Sequence, residues 1–408
     1  MDYIRFLLLG VVFGVYVIGN AQAQQVSRNN TQSVNPKIYQ GLAIAAESIE
    51  AGRTKEGLSK LRSMFTDKLN PYERASIWSY IAYVYTAEKN YGEALKSYAN
   101  VTEQSNIPEG MALSAIFAQA RIHLFQENHD KTVELMQRWF NVATEPTVDA
   151  YVVMAQAHYF KGNSAEAVVQ LEKAMVLVIE YNIQPKEAWL QLLRASYSDV
   201  GNVSKTIATL EQLIRLYPKE EYFTQLASMY SEPGREQQQL QVLETANDAG
   251  YLKNPNDLLV LVSLLMHNNK ASKAADILEK ALQNKTIEST PDNLRKLVHA
   301  YLLANEPEKA LQILTDLPKL STDGELYVNF GEAYTGLNRW QEAVDAFNLA
   351  LKEEKLKQRD YVRALLAQAL FYLGRHQEAE KIFKSLTKST EMQSVATEWL
   401  KYLNTHRT

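Results

Sequence analysis

The chain has 408 residues, of which 46% are hydrophobic and 22% are charged, so its composition is that of a folded protein and excludes wholesale disorder. A net charge of -4 provides no positive field for nucleic acid or anionic lipid, which argues against both as partners. A single compact core is excluded at this length by the usual size limit, so we expect several domains or an array of repeats.

Residues 1–23 have the pattern of a secretory signal peptide. Arg5 precedes an apolar run of about 14 residues, short for the roughly 20 that span a bilayer, and Ala21-Gln-Ala23 has the small-x-small form of a signal peptidase site. Cleavage after Ala23 is expected, with an uncleaved anchor as the alternative. The chain has no cysteine, and therefore no lipid-modifiable Cys and no disulfide. Residues 24–36 are polar and predict a flexible lead-in. The mature protein should be exported, periplasmic in a Gram-negative cell, and without direct membrane insertion.

Residues 37–390 carry a repeated pattern of two amphipathic helices. Between Trp78 and Tyr98, apolar residues recur at three- and four-residue spacing on both sides of a polar turn, which predicts an antiparallel helical hairpin. The second helix has an anchor residue, in most repeats small, at intervals of 33 to 39 residues: Gly57, Ala94, Thr132, Ala167, Thr206, Gln239, Ala274, Ala310, Ala343 and Ala379. Twelve residues earlier lies a first-helix anchor, small at Ala45, Ala82, Ala120, Ala155, Ala227, Gly331 and Ala367. Small residues at such points let neighbouring helices pack closely along a continuous apolar seam.

The run from Leu326 to Leu351 resembles a tetratricopeptide repeat, and so does the run from Trp189 to Pro218. In the first run the signature positions hold Tyr327, Gly331, Tyr334, Ala343, Phe347 and Ala350. The resemblance implies an all-α, superhelical solenoid of about ten antiparallel helix pairs. Residues 391–408 predict a C-terminal capping helix that turns Trp399 and Leu400 inward.

The sequence contains no recognisable catalytic or cofactor-binding motif. There is no Gly-rich phosphate loop, no HExxH, no cysteine nucleophile and no Gly-x-Ser-x-Gly, so we expect neither an enzyme nor a cofactor. An enzyme that used the repeats as a specificity arm would need a catalytic domain, and no segment outside the repeats is long enough. His123 and His158 share one register in adjacent repeats, where Tyr85 and Tyr197 stand on either side. A two-histidine metal site lacks further ligands at suitable spacing, so both are interpreted as buried imidazoles in place of the usual tyrosine.

The candidate partner-binding residues lie on the first helices, which line the inner wall of such solenoids. Between Trp78 and Tyr98, the aromatic residues Trp78, Tyr85, Tyr91 and Tyr98 fall on packing positions. Tyr83 differs, because it follows the anchor Ala82 at a position that faces the groove in tetratricopeptide repeats. The predicted groove residues are Tyr83, Phe117, Arg121, Leu124, Val152, Gln156 and Tyr159, and a second strip of Arg295, His299, Tyr361, Gln368 and Phe371.

An aromatic strip with one guanidinium suits a protein or peptide partner whose apolar side chains fill pockets while a carboxylate pairs with Arg121. The alternative is that Phe117 and Leu124 turn into the core. The Lys and Asn set by which chaperone-binding tetratricopeptide domains clamp a carboxylate is not matched at Ser79 and Tyr83, which argues against a chaperone co-factor.

The signal segment, the lack of cysteine and the divergent repeats with the stretch from Asn70 to Leu95 together resemble a narrower group. These are the periplasmic tetratricopeptide proteins associated with TonB-ExbB-ExbD systems. The resemblance implies a non-catalytic accessory that docks onto TonB, ExbB or ExbD components and assists uptake of iron chelates or other nutrients. The alternative is an adaptor for outer-membrane protein, polysaccharide or pilus assembly.

Overall fold

The computed structural model describes residues 34–316, 324–354 and 356–405, and within these ranges it contains 21 α-helices and no strand. The predicted signal peptide lies outside the described residues. In chain order the helices are α1 (Pro36–Glu50), α2 (Thr54–Ser63), α3 (Pro71–Ala87), α4 (Tyr91–Thr102), α5 (Glu109–Phe125), α6 (His129–Val142), α7 (Val148–Phe160), α8 (Ser164–Glu180), α9 (Glu187–Asp199), α10 (Val203–Leu216), α11 (Glu220–Met229), α12 (Glu236–Asp248), α13 (Pro255–His267), α14 (Ala271–Gln283), α15 (Pro291–Leu303), α16 (Pro307–Asp316), α17 (Gly324–Gly336), α18 (Trp340–Ala350), α19 (Arg359–Tyr372), α20 (His376–Leu386) and α21 (Gln393–Thr405).

The first twenty helices form ten hairpins, each joined by a short turn and packed along its length, and α21 packs against α20. The all-α array of helix pairs predicted from the sequence is confirmed. The chain divides into two compact units, one that ends at Tyr217 and contains α1 to α10, and one that begins at Pro218 and contains α11 to α21.

Each hairpin turns through one residue with a left-handed backbone. These residues are Gly52, Lys89, Glu127, Gly162, Gly201, Gly234, Asn269, Asn305, Asn338 and Gly374. In the second hairpin, Lys89 has φ of 59° and the next amide, of Asn90, donates back to the carbonyl of Tyr85 at 2.8 Å. This bond satisfies a carbonyl left free at the end of a helix. The Asn90 side chain then accepts from the amide of Glu93 and caps the second helix.

The anchor residues lie where the helices cross. Nine of the ten second-helix anchors are buried, and the tenth, Gln239, is half-buried because its side chain is too long for the crossing point. Every small first-helix anchor is buried. At Gly331 the approach is closest, since a Cβ atom there would lie 2.3 Å from Cε1 of Phe347. Only glycine fits at that point, so residue size at these positions sets the helix spacing.

A tyrosine three residues after the first-helix anchor ties neighbouring hairpins together. Tyr197 in α9 is buried, and its hydroxyl donates to Oε1 of Glu172 in α8 at 2.9 Å. Lys205 in α10 pairs with the same carboxylate and lies 5.2 Å from the centre of the tyrosine ring. Burial and the Glu172 carboxylate raise the pKa of Tyr197, so the hydroxyl remains a donor.

The second unit repeats this arrangement, which we call the tyrosine clasp. Tyr301 in α15 is hydrogen-bonded to Glu279 in α14, and Nζ of Lys309 in α16 lies 5.3 Å from the ring centre. Glu172 and Glu279 each stand five residues after their second-helix anchor, and Lys205 and Lys309 each stand one residue before theirs. The clasp is therefore a property of the repeat register.

Candidate partner-binding surfaces

The residue directly after each first-helix anchor lies at an accessible position, which we call the wall position. The ten wall positions hold Ala46, Tyr83, Arg121, Gln156, Ala195, Ser228, Ser263, His299, Glu332 and Gln368. Nine are exposed or half-buried, and only Ala195, at 4% exposure, is buried. One step along an α-helix rotates the side chain by about 100°, so a residue next to an inward anchor points away from the helix crossing.

Tyr83, Tyr98 and Arg121 come together in the first unit. Tyr83 on α3 is 52% exposed, whereas Tyr98 on α4 is half-buried and hydrogen-bonded to the side chain of Thr86. Burial raises the pKa of Tyr98, and the nearby Arg121 guanidinium opposes this rise. Neighbouring aromatic residues are packed instead of exposed. The ring centre of Trp78, for example, lies 4.7 Å from that of Phe65. Among these aromatic residues, Tyr83 is the one that the packing leaves exposed.

The guanidinium of Arg121 is half-buried and lacks an anionic partner. Its central carbon lies 6.0 Å from the ring centre of Phe117, one turn earlier on α5. No carboxylate or carbonyl among the described residues is within hydrogen-bond distance of it, and Asp149, which contributes the largest opposing charge, is paired with Lys186 at 3.4 Å. Burial lowers the pKa of Arg121, although an arginine remains charged at neutral pH. The site therefore holds a partly desolvated cation that an incoming anion can reach.

Gln156 and Tyr159 on α7 lie on the next first helix and are both half-buried. Burial and the carboxylate of Asp199 raise the pKa of Tyr159, so its hydroxyl is a hydrogen-bond donor at neutral pH. The helices α5 and α7 are in contact. Together with Tyr83, Phe117 and Arg121, these two residues form a set that we call the first-unit wall.

Two of the predicted groove residues, Leu124 and Val152, lie in the core instead. Leu124 is 4% exposed and Val152 is 5% exposed. Phe117 is half-buried, and its ring centre lies 6.4 Å from that of Trp139. The alternative that these side chains turn into the core is therefore correct for Leu124 and partly correct for Phe117, because α5 has apolar residues on more than one face.

The structure brings together only two residues of the second predicted strip. His299 is exposed and Tyr361 is 36% exposed, and both line one cavity of about 360 Å³. Arg295 is half-buried and pairs with Asp292 at 3.2 Å. Gln368 is half-buried and lies about two turns after Tyr361 on α19.

The prediction that Phe371 lines the groove is wrong, because this residue lies in the core and not on an accessible surface. It is 9% exposed, and its ring makes edge contacts with Trp399 and Tyr402 of α21 at 5.5 and 5.4 Å between centres. Trp399 also stacks on Phe383 at 5.5 Å. The C-terminal helix supplies these contacts, and its position over α19 could not be inferred from the register of α19 alone.

The cavity that His299 and Tyr361 share contains a functional candidate that sequence reasoning missed, Glu332. The lining residues, which define the Glu332 pocket, are His299, Leu302, Leu303, Asn305, Pro307, Glu332, Thr335, Gly336, Tyr361 and Leu365. The hydroxyl of Tyr361 donates to Oε1 of Glu332 at 3.1 Å. A signal was present, since Glu332 follows the anchor Gly331 as Tyr83 follows Ala82. This position alone does not mark Glu332 as a binding residue, because single glutamates are common on helix surfaces.

A larger cavity of about 620 Å³ lies at the turn between α7 and α8 and is lined by none of the predicted groove residues. His158 borders it, and burial lowers the pKa of both His158 and His123.

In the part of the chain that the structure describes, no three His, Asp or Glu side chains are grouped to hold a metal ion. None of the helices within residues 34–316, 324–354 and 356–405 is long and apolar enough to cross a membrane.

Comparison with known proteins gives only distant likenesses. No protein-family model matches the chain, and no curated protein is significantly similar to it. Among solved structures, a tetratricopeptide repeat protein from Parabacteroides merdae is 12% identical, covers 64% of this chain and 100% of its own, and has a TM-score of 0.33. The P58(IPK) TPR domain is 16% identical, covers 84% of this chain and 99% of its own, with a TM-score of 0.27. The MamA protein is 16% identical, with 43% and 91% coverage and a TM-score of 0.37.

Proposed function

We propose that this protein is a non-catalytic scaffold that binds a polypeptide partner on the first-unit wall. The observation that carries the proposal is Arg121, a half-buried guanidinium without an anionic partner in the described structure, which lies close to Tyr98, as does the exposed Tyr83. Holding a partly desolvated charge unpaired is unfavourable, so a site of this kind gains when a ligand brings the opposite charge.

The chemistry of the first-unit wall defines the partner. A carboxylate can form a bidentate pair with Arg121, which is the strongest and most directional contact this wall offers. Tyr83 and Tyr159 add aromatic area with a polar end, the combination that anchors many protein interfaces. We infer a polypeptide segment with apolar side chains and an acidic side chain or terminal carboxylate.

For cellular role, we propose a periplasmic accessory of a TonB-ExbB-ExbD type energy-transduction system that assists nutrient uptake. Support comes from the signal-like segment that ends at Ala23, the absence of cysteine, and the resemblance carried by the stretch from Asn70 to Leu95. In this role the protein would contact TonB, ExbB or ExbD components and would need no cofactor.

An affinity capture experiment tests both parts of this proposal. The protein is used as bait in periplasmic and solubilised envelope extract, beside Arg121→Glu and a matched control, Arg138→Glu. Arg138 is exposed on α6 and has the same charge. We expect native protein and Arg138→Glu to capture TonB, ExbB or ExbD, and Arg121→Glu to lose them while its melting temperature stays close to that of native protein.

Capture that survives Arg121→Glu would overturn the first-unit wall as the binding site. Recovery of outer-membrane protein, polysaccharide or pilus assembly components instead would replace the TonB role with the adaptor role. A large loss of stability in Arg121→Glu would show that this residue is structural.

A further inference from the structure

The Glu332 pocket is assembled from three first helices of the second unit. Glu332 comes from α17, Tyr361 and Leu365 from α19, and Leu302 and Leu303 from α15. Its volume of about 360 Å³ lies within the usual range for ligand pockets. Leu303 is 53% exposed at the rim, so the pocket can be reached from solvent. The site thus combines an open apolar wall with one carboxylate.

The carboxylate of Glu332 has no cationic partner among the described residues. Its one hydrogen bond there comes from the hydroxyl of Tyr361, at 3.1 Å. Burial raises the pKa of Glu332, and the neighbouring carboxylate of Glu325 raises it further. Burial and the Glu332 carboxylate in turn raise the pKa of Tyr361 to about 12, which keeps its hydroxyl protonated and donating. A second negative charge nearby makes this end of the pocket unfavourable for an anion.

Three basic residues on or next to the adjoining helices are engaged elsewhere. Lys309 pairs with Glu306 at 2.5 Å, Arg339 with Glu342 at 2.8 Å, and Arg363 with Asp360 at 2.9 Å. In each of these pairs the two residues are three positions apart in the sequence, so the local backbone holds them close together. No lysine or arginine among the described residues forms an ion pair with Glu332, and a cation supplied from outside would relieve an unpaired, half-buried charge.

The walls of the Glu332 pocket suit the apolar stem of a basic side chain. Arginine and lysine lay their methylene stems on apolar surface while the charged head reaches a polar group. Leu303 and Leu365 supply such surface, and the ring of Tyr361 adds an aromatic face beside the carboxylate.

We propose that the Glu332 pocket binds the side chain of an arginine or lysine in a polypeptide partner, with the cationic head paired to Glu332 and the stem against Leu303 and Leu365. The assignment rests on the proposed polypeptide-binding role, but it concerns a site separate from Arg121 and of opposite charge. It commits to a basic peptide segment flanked by apolar residues.

The test is calorimetric titration of the purified protein with three acetylated, amidated pentapeptides. Their common sequence is Ala-Leu-X-Leu-Ala, with Arg, Gln or Glu at X. We expect the Arg peptide to bind at least about tenfold more tightly than the Glu peptide, a difference of about 1.4 kcal/mol. Glu332→Gln should weaken the Arg peptide by at least about tenfold and leave the Gln peptide unchanged, since only the charge pair is lost.

A control variant separates the pocket from general electrostatics. Glu354→Gln removes the same charge from an exposed position in the second unit and should leave Arg-peptide affinity unchanged. Leu303→Lys places a competing cation at an exposed rim position and should weaken the Arg peptide, which provides a test even if Glu332→Gln folds poorly.

Several results would overturn the inference: no binding of the Arg peptide to native protein, equal binding of Arg and Glu peptides, or full binding by Leu303→Lys. If the Arg peptide fails while native protein still captures a partner through Arg121, this inference falls and the proposed function stands. If the Arg peptide binds as expected but Arg121→Glu captures its partner normally, the first-unit wall is rejected and the Glu332 pocket remains.

Discussion

The two units carry opposite charges at one equivalent position of the repeat. In the first unit the wall position of α5 holds Arg121, and in the second unit the wall position of α17 holds Glu332. Both side chains are half-buried, and neither has an oppositely charged partner in the described structure. The units share their scaffold and differ in surface chemistry. The repeat therefore determines where a side chain points, while the residue at that point determines what it can bind.

The shared scaffold can be tested by overpacking one second-helix anchor in each unit. Ala94 and Ala343 are both 0% exposed at helix crossings. Ala94→Trp and Ala343→Trp should each lower the free energy of unfolding by about 1–3 kcal/mol, because an indole forces the helices apart. Chemical denaturation monitored by circular dichroism measures the effect.

Leu349→Trp on α18 is the control for bulk alone, because Leu349 is 41% exposed. It should change stability by less than about 0.5 kcal/mol. If Ala343→Trp unfolds like native protein, the repeat register assigned to the second unit is wrong.

The tyrosine clasp tests the same equivalence at a smaller scale. Tyr197→Phe and Tyr301→Phe each remove one hydroxyl that donates to a glutamate of the preceding hairpin. Each should cost about 0.5–1.5 kcal/mol of unfolding free energy, the usual net value of one hydrogen bond. Similar losses in the two variants would show that the clasp is a common device. A loss in one unit alone would mean that local packing outweighs the register.

The histidines at the clasp position predict a difference between the units. Desolvation lowers the pKa of His123 and His158 below the ordinary 6.5, so the folded protein binds their protons less readily than the unfolded chain does. The stability they contribute is complete above pH 6.5 and is lost as the pH falls through that value toward their folded pKa. The first unit should therefore lose stability in mild acid.

Melting temperatures at about pH 7.5 and 5.5 measure this loss, and native protein should melt at the lower temperature at pH 5.5. The double variant His123→Gln, His158→Gln should show a smaller drop. His267→Gln, which removes an exposed histidine from the second unit, should keep the native response. An undiminished drop in the double variant would assign the acid sensitivity to other groups.

The fold was largely predictable because its signal is local and repeated. Anchor residues such as Ala82 and Ala94 recur at regular spacing, and their burial follows from helical periodicity. Candidate site residues were predictable only in part. Tyr83 and His299 are accessible as expected, but Phe371 is covered by α21, a helix whose docking leaves no mark in the sequence of α19.

The helix pairs, their turns and the wall positions could be predicted from the sequence, because each depends on residues within a few turns along the chain. Which charged side chains find a partner follows only from the packing of separate hairpins. Asp149 forms an ion pair with Lys186, and Tyr361 donates a hydrogen bond to Glu332. Arg121 has no acidic partner among the described residues. Charge pairing depends on distances between separate hairpins, and these are set by how closely the anchor residues allow neighbouring helices to pack.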